Sequence, residues 1–287
     1  MRESTNELAR TRFESHEIEA FEPTAKIALL ATLNRDQAPH ITLISTLCAI
    51  SPEKLAWGQF TAGMSKQHVL ERPEVGFLIM TLDRRIWMGS ARYTHRATHG
   101  AEHRMFNDKP MFRYNSYFGI HTAHYMDLVH VSGGAGINLT RVVTASVLTE
   151  ILRTGRRRSD RPALTPWAHK LINRPDSLAF LSYKGDTGFP QIHPVLQCRA
   201  AGRGRLVFTA PRDLCRALSG AVDDRVSVMA LSQDMESVLV GGRLSSSQGR
   251  GALRLSTMEI DWVYNSMPPK QGMIYPLEPL TAVRNFQ

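Results

Sequence analysis

The 287-residue sequence predicts a mainly β chain with flanking helices, of the α+β class, built from two copies of one barrel-like unit. Three observations lead to this prediction. Apolar runs of strand length recur between turn residues, one short helical stretch interrupts each set of runs, and the whole pattern occurs twice. Several short strands at regular spacing with one helix among them are typical of a closed or nearly closed barrel.

The repeat relates residues near 27–91 to residues near 178–243 at an offset of 151. Ile27–Leu33 is an apolar strand followed by turn residues, and Leu178–Lys184, followed by a glycine-rich turn, corresponds to it. Four strand-and-turn patterns stay in register, which indicates a duplication. The fifth strand is expected to need a shift of one residue, which aligns Trp87 with Leu239. Identical residues at the common offset are Ala28, Leu30, Pro39, Ile41, Leu55 and Val75, with partners at 179, 181, 190, 192, 206 and 226.

Within each copy the predicted order is strand, tight turn, strand, longer turn, strand, short helix, strand, hairpin, strand. Pro39 and Pro190 stand at strand starts, where a missing N–H costs least. The short helix of the first copy is predicted over Ser65–Arg72, because Pro73 stops it.

Further helices are expected outside the strands. Glu7–Glu19 precedes the first copy, and Trp167–Ile172, with Thr165 as its N-cap and Pro166 in its first turn, precedes the second. Glu102–Ser116 is expected to be partly helical and to lead into a strand over His124–Val131.

The basic, irregular stretch over residues 154–164 predicts the domain boundary. The first domain is therefore expected over 1–153 and the second over 154–287.

Composition limits the class of protein. An apolar fraction of 43% supports packed cores, and 21% charged residues without polar tracts argue against disorder. No run approaches the roughly 18–20 apolar residues of a membrane span, and the first residues do not resemble a secretory signal. We therefore expect a cytoplasmic protein without a membrane partner. Cys48, Cys198 and Cys215 are too few and too scattered for a disulfide framework.

The net charge of +9 is compatible with nucleic acid, anionic lipid or a phosphorylated small molecule as a partner. The densest basic cluster, Arg153 with Arg156–Arg158, lacks aromatic residues on which bases could stack. A solvated basic loop explains it better, so the sequence argues against a nucleic-acid partner.

The first copy contains a candidate anion site. Strand alternation places His40 and Thr42 on one face and Leu43 and Ser45 on the other. Ser65 and Lys66 open the short helix, and a helix N-terminus with a hydroxyl and an ammonium group can seat a phosphate. An ordinary capped helix with a surface lysine has the same pattern, so the residues alone leave both interpretations open.

The ordered set IALLATL, APHITLI, LAWGQFTAGMSKQHVLERP and EVGFLIM resembles the pyridoxamine 5′-phosphate oxidase-like, FMN-binding split-barrel superfamily. Residues 27–91 follow the family order closely and residues 178–243 follow it more loosely. The resemblance implies two tandem split β-barrels that form a pseudo-dimer within one chain, with FMN held at the seam between them.

The resemblance also implies roles for individual residues. Ser65 and Lys66, helped by Thr61, would hold the phosphate, and His40 takes the place where family members often carry an arginine. The remaining cofactor-binding residues would line the ribityl chain and the flavin ring; they are Thr42, Leu43, Ser45, Gln59, Phe60 and Gln67.

Two aromatic segments, around residues 109–118 and 262–270, are candidates for covering a flat ring by stacking. Arg113, Tyr114 and Lys270 in them are candidates for binding an anionic small-molecule substrate, while core-edge packing explains the same segments equally well. No nucleophile–base pair is recognisable, so no catalytic residue is assigned.

Other features of the sequence carry less. The spacing of His95, His99 and His103 would place three imidazoles on one helical face, but the residues between them favour a polar loop, and no metal is expected. The second copy loses the phosphate loop, since Arg212, Arg216 and Ala217 replace Thr61, Ser65 and Lys66. Arg212 and Arg216 could still hold a cofactor there.

The resulting prediction is an FMN-dependent oxidoreductase acting on an unidentified small molecule. F420, haem with axial ligands from the eleven histidines, and a non-catalytic basic module that binds anions or nucleic acid remain alternatives. The fused barrels can pair within one chain, and a homodimer is also left open.

Overall fold

The computed structural model shows two antiparallel sheets that follow one another along the chain. The structure describes residues 10–60, 63–110, 119–137, 142, 144–147, 149–150, 161–219, 223–248, 253–267 and 272–277.

The first sheet has seven strands in the order β2-β1-β5-β6-β7-β4-β3. Its elements are α1 (Ser15–Phe21), β1 (Ile27–Leu33), β2 (Pro39–Leu43), β3 (Cys48–Ser51), β4 (Lys54–Gln59), α2 (Met64–Glu71), β5 (Glu74–Met80), β6 (Arg85–Ala97), α3 (Ala101–Asp108) and β7 (Thr122–Gly136).

The second sheet has the order β10-β11-β14-β13-β12-β8-β9, with β15 paired to β14. Its elements are α4 (Pro166–Asn173), β8 (Leu178–Lys184), β9 (Pro190–Pro194), β10 (Arg199–Ala200), β11 (Arg205–Pro211), α5 (Arg212–Ser219), β12 (Arg225–Leu231), β13 (Ser237–Gln248), β14 (Leu253–Asn265) and β15 (Gly272–Tyr275).

The two sheets share one topology, because the second order is the first order with each strand replaced by its repeat. The registers agree as well: Leu29 pairs with Leu43 in the first copy, and the equivalent Phe180 pairs with Pro194 in the second. The fold is therefore a tandem of two split β-barrels related by internal duplication.

The predicted one-residue shift at the fifth strand is wrong. Leu78 pairs with Met88, and Met229 pairs with Leu239, so the offset of 151 continues through the hairpin. The apparent shift came from matching the glycines Gly89 and Gly241, which occupy different places in the two ladders.

Each sheet encloses its own apolar core. In the first copy Phe77, Trp87 and Trp57 are fully buried, and α1 closes the core with Phe21. The Trp87 indole N–H donates to Glu17 Oε1 at 2.8 Å, which fixes α1 against the sheet. The helix predicted over Trp167–Ile172 with Thr165 as its N-cap is confirmed as α4, which closes the second core. The Thr165 hydroxyl accepts from the Ala168 N–H at 3.2 Å.

The two copies meet along an apolar seam formed by one cluster of buried side chains. Equivalent residues such as Leu29 and Phe180, or Leu78 and Met229, lie in this cluster together, as in an isologous dimer interface. Polar contacts border the seam: Gln191 Nε2 donates to Ser90 Oγ at 3.2 Å, and the Lys184 ammonium donates to the Gln37 side chain.

Some predicted elements differ in extent. Helix α1 begins at Ser15, while part of the predicted Glu7–Glu19 helix lies outside the described residues. Helix α3 (Ala101–Asp108) covers the first part of the predicted segment Glu102–Ser116, and residues 111–116 lie outside the described residues. Most of the predicted boundary stretch 154–164, namely residues 154–160, also lies outside the described residues, so the domain limits stay a prediction.

In the described parts of the chain, no helix is both long and apolar enough to cross a membrane.

Candidate functional site

A compact polar cluster lies between strand β2 and the start of helix α2. Thr42 Oγ1 and Ser65 Oγ are hydrogen-bonded, and His40 Nδ1 lies 3.3 Å from Ser65 Oγ and 3.4 Å from Thr42 Oγ1. His40 and Ser65 are buried and Thr42 is partly buried. The structure thus brings together three residues that the sequence predicted for one site.

Strand pairing explains why these side chains converge. Leu30 pairs with Thr42 and Thr32 pairs with His40, so all four side chains point to the same face of the β1–β2 ladder. Helix α2 packs over this face, and Thr32 Oγ1 lies 3.0 Å from Nδ1 of its His68.

Helix α2 begins without a side-chain cap. Its N-cap is Gly63, in extended conformation, so the first backbone N–H groups have no hydroxyl or carboxylate of the cap residue to accept from them. Ser65 and Lys66 lie in this first turn, and no acidic residue accompanies them there. An anion would complete the hydrogen bonding of such a helix end.

Lys66 is the cationic group of the site. Partial burial lowers the pKa of its ammonium group to about 8, and no described carboxylate forms an ion pair with it. A partly desolvated cation without a partner gains more from an incoming anion than an exposed lysine does.

His40 has the opposite character. Burial, with a smaller contribution from neighbouring His68, lowers its pKa to about 3, so the ring is neutral near pH 7. Its Nε2 atom is buried and has no hydrogen-bond partner among the described residues. The histidine therefore supplies no positive charge near pH 7, and it offers a ring nitrogen without a described hydrogen-bond partner instead.

The second copy contributes an aromatic wall to this site. Tyr264 on β14 meets the His40 ring edge-on, with ring centroids 5.6 Å apart. Trp262 on the same strand packs, partly buried, against the seam cluster, as do Leu43 and Met64 of the first copy. The aromatic segment predicted around 262–270 thus reaches the first-copy site with its strand portion.

The other predicted site residues are spread more widely. Ser45 lies in the turn after β2, and the Gln67 side chain is exposed on α2. Gln59 Oε1 lies 2.9 Å from His124 Nε2, and Phe60 packs on a cluster beneath α3. Residues Thr61, Arg113, Tyr114 and Lys270 lie outside the described residues.

Sequence reasoning missed two buried histidines near the site. His68 follows Ser65 by three residues on α2, so helical spacing could have placed both on one face. His124 stacks on Trp57 with ring centroids 3.8 Å apart, and its pKa is lowered to about 3 by burial, with a smaller effect of Lys66. A pairing between β4 and β7, which are distant in sequence, creates that contact.

The histidine stripe does not form. His95 lies on β6, where its ring stacks on Tyr125, while His99 lies in a bend and His103 in α3. Over the part of the chain that the structure describes, no group of three or more metal-binding side chains is found.

In the second copy the equivalent helix starts earlier. Helix α5 begins at Arg212, directly after β11, so the loop that precedes α2 has no counterpart. Arg216 and Ala217 consequently lie in the second turn and not at the helix start. Asp213 occupies the first turn. The loop and helix start of the first copy are therefore not repeated.

Several solved structures match part or most of the chain at low sequence identity. No protein-family model and no curated protein sequence matches it. An FMN-binding protein from Syntrophomonas wolfei matches 42% of this chain over 86% of its own length, at 13% identity and a TM-score of 0.36. The match to a FAD-binding protein from Mesorhizobium loti covers 44% of this chain and 94% of that protein, at 15% identity and a TM-score of 0.31. The match to the Borreliella burgdorferi PlzA protein, in complex with c-di-GMP, covers 87% of this chain and 86% of that protein, at 8% identity and a TM-score of 0.25.

Proposed function

We propose that the chain binds FMN at the first-copy site and acts as an FMN-dependent oxidoreductase on a small molecule. The observation that carries this proposal is the start of helix α2, which has no side-chain cap and which brings the Ser65 hydroxyl together with the Lys66 ammonium, a cation without an ion-pair partner among the described residues. These groups match a phosphate ester, whose oxygens accept hydrogen bonds and carry negative charge.

The surroundings of this seat fit the rest of the cofactor. Leu43 and Met64 from the first copy and Trp262 from the second give the seam apolar and aromatic surface beside the seat. An isoalloxazine ring needs such a surface, together with a few polar groups that orient it. The buried His40 Nε2, which has no hydrogen-bond partner among the described residues, is one polar group that a ligand at this place could satisfy.

Each residue has a distinct role in this proposal. Lys66 attracts the phosphate, while Ser65 and Thr42 donate to it once His40 Nδ1 donates to one of their oxygens. Trp262 and Tyr264 shield the site from water from the side of the second copy. Bound FMN supplies the hydride-transfer chemistry itself. Arg113, Tyr114 and Lys270 remain candidates for contacting the substrate.

The absorption spectrum of the purified protein tests the cofactor class. We expect the two-banded visible spectrum of oxidised flavin after incubation with FMN and gel filtration. A Soret band would indicate haem, and a single near-violet band would indicate F420. Either result would refute the FMN proposal. A protein that retains none of these chromophores would contradict the oxidoreductase proposal.

Lys66→Ala tests the phosphate seat. Loss of a charge-assisted contact should weaken FMN binding by about 1–3 kcal/mol, measured by fluorescence quenching of added FMN. Lys54→Ala is the matched control, because it removes the same charge from an exposed position at the far end of β4. Equal affinities of Lys66→Ala and wild type would refute the seat.

A further inference from the structure

A cavity of about 570 Å³ opens at the seam on the side of the second copy. It lies between β7 of the first copy and the β8–β9 turn and helix α5 of the second. The lining side chains with polar or charged groups include His130, Tyr183, Asp186, Gln191, Asp213 and Arg216. Its volume is in the range of small-molecule binding sites.

This cavity is the pseudo-symmetric counterpart of the FMN site proposed above. At the offset of 151, Tyr183 corresponds to Thr32, Gln191 to His40 and Arg216 to Ser65. The strand registers likewise make His130 of β7 the counterpart of Trp262 of β14. The two seam sites therefore occupy equivalent positions and differ in every one of these side chains.

The charges of the cavity oppose a phosphate. Asp213 lies in the first turn of α5, where its carboxylate complements the helix N-terminus that an anion would otherwise occupy. Asp186 adds a second carboxylate, so a dianion would meet two negative groups and one guanidinium. Burial lowers the pKa of His130, which keeps its ring from adding a positive charge near neutral pH.

The charged groups are available to a ligand. Arg216 and Asp213 are exposed, stand three residues apart on α5 and form no ion pair with each other or with any other described residue. Asp186 likewise has no ion-pair partner in the described parts of the chain, although its Oδ1 accepts from the Thr187 N–H at 2.8 Å. Acidic and basic groups thus face one cavity without neutralising one another.

Neutral polar groups complete the lining. The Tyr183 hydroxyl lies 3.2 Å from His193 Nε2. Burial, with a smaller effect of Asp186, raises the pKa of Tyr183 to about 12. Gln191 donates through Nε2 to Ser90 of the first copy, which fixes the amide at the cavity edge. Among the described residues that line the cavity there is no tryptophan or phenylalanine, which distinguishes it from the first-copy site with Trp262 beside it.

We infer that this second seam cavity binds a small zwitterion that carries both a carboxylate and an ammonium group, the chemistry of a free α-amino acid. Arg216 pairs with the carboxylate, since a guanidinium matches its two oxygens. Asp213 and Asp186 accept from the ammonium group. The site is independent of FMN, because none of its charged residues belongs to the first-copy seat.

Binding of pooled L-amino acids, followed by saturation-transfer NMR on the full chain, tests this inference. We expect signals from at least one amino acid and none from its 2-oxo acid or its decarboxylated amine at equal concentration. Arg216→Gln and Asp213→Asn should each weaken that binding about tenfold or more, the effect of losing one charged partner.

Exposed residues supply matched controls. Lys170→Gln on α4 and Asp127→Asn on β7 remove the same charges away from the cavity and should leave amino-acid binding unchanged. Lys66→Ala, which tests the FMN seat, should leave it unchanged as well. The two proposals therefore fail separately.

Two results would overturn the inference. One is the absence of binding by any amino acid at millimolar concentration. The other is a stoichiometry of two FMN per chain that Arg216→Gln reduces to one, because the cavity would then be a second phosphate site.

Discussion

Two neighbouring residues of the first-copy site respond to burial in different ways. His40 loses its proton and becomes a neutral orienting group, whereas Lys66, with a pKa lowered to about 8, stays mostly protonated near pH 7. The positive charge of the seat therefore comes from one side chain. A seat that depends on one titratable cation should be sensitive to pH.

The affinity for FMN should fall as the pH rises above about 8. Lys66 is charged below its lowered pKa, and a bound phosphate favours the charged form, so binding is strongest below that pH. Between the pKa of the free protein and the higher pKa of the complex, the affinity should fall by up to about tenfold per pH unit. Fluorescence titrations with FMN at a series of pH values measure this fall.

Lys66→Arg serves as the control for this pH dependence. Arginine stays protonated throughout the range, so this variant should keep a flat affinity profile. A fall of the same size in Lys66→Arg would assign the pH dependence to another group.

Much of this cluster could be predicted from the sequence, because local rules suffice to place its residues. Strand alternation puts His40 beside Thr42, and the helix start puts Ser65 beside Lys66. The contact between His40 and Tyr264 could not be predicted, since it depends on how the two copies pack. The neutral state of His40 follows only from the depth of its burial.

The two copies agree in the bounds of their first strands and differ in where the short helix begins. The bounds of β1 and β8 agree with the predicted strands at every residue, since apolar runs between turns define them. The early start of α5 could not be predicted from the sequence. The replacement of Thr61, Ser65 and Lys66 by Arg212, Arg216 and Ala217 predicts the loss of the phosphate loop, but it does not indicate where the helix begins. One additional helical turn replaces the loop, and with it the site changes its chemistry.

Strand β5 approaches the second copy so closely that a side chain at Gly76 cannot fit. A Cβ atom there would lie 2.1 Å from the carbonyl oxygen of Pro190, which belongs to β9. Gly76→Ala should therefore lower the free energy of unfolding by about 1–3 kcal/mol, the usual effect of overpacking, as measured by urea denaturation.

Gly136→Ala is the matched control for this seam. A Cβ atom at Gly136, at the end of β7, would have no heavy atom within 4 Å. A loss of stability in Gly136→Ala as large as that in Gly76→Ala would show that the effect does not come from the seam.

The two copies pack against each other within one chain as two subunits pack in a symmetric dimer. Because both copies are covalently joined, each seam site can change without altering its counterpart, which two identical subunits could not do. Apolar side chains are buried at equivalent positions of the two cores and of the seam cluster. The two seam sites, in contrast, carry different polar side chains at their equivalent positions. The duplication thus preserves the packing, while the polar side chains of the two seam sites have diverged.

Buried neutral histidines in both halves make the molecule sensitive to acid. Burial lowers the pKa of His40 and His124 to about 3 and that of His193 to about 4. Unfolded histidines take up a proton near pH 6.5, so the unfolded state binds more protons than the folded state below that pH. The stability contributed by these rings is complete above pH 6.5 and is lost as the pH falls towards the folded-state pKa values.

At pH 5 each of the three histidines should lower the free energy of unfolding by about 2 kcal/mol relative to its value at neutral pH. Together they remove roughly half of the stability of an ordinary domain. Urea unfolding between pH 7.5 and pH 5 measures the decline, and its slope gives the protons taken up on unfolding. His40→Gln should reduce that number by about one, because the variant lacks a ring that takes up a proton on unfolding. A free energy of unfolding that stays constant from pH 7 to pH 5 would contradict neutral, buried histidines in this fold.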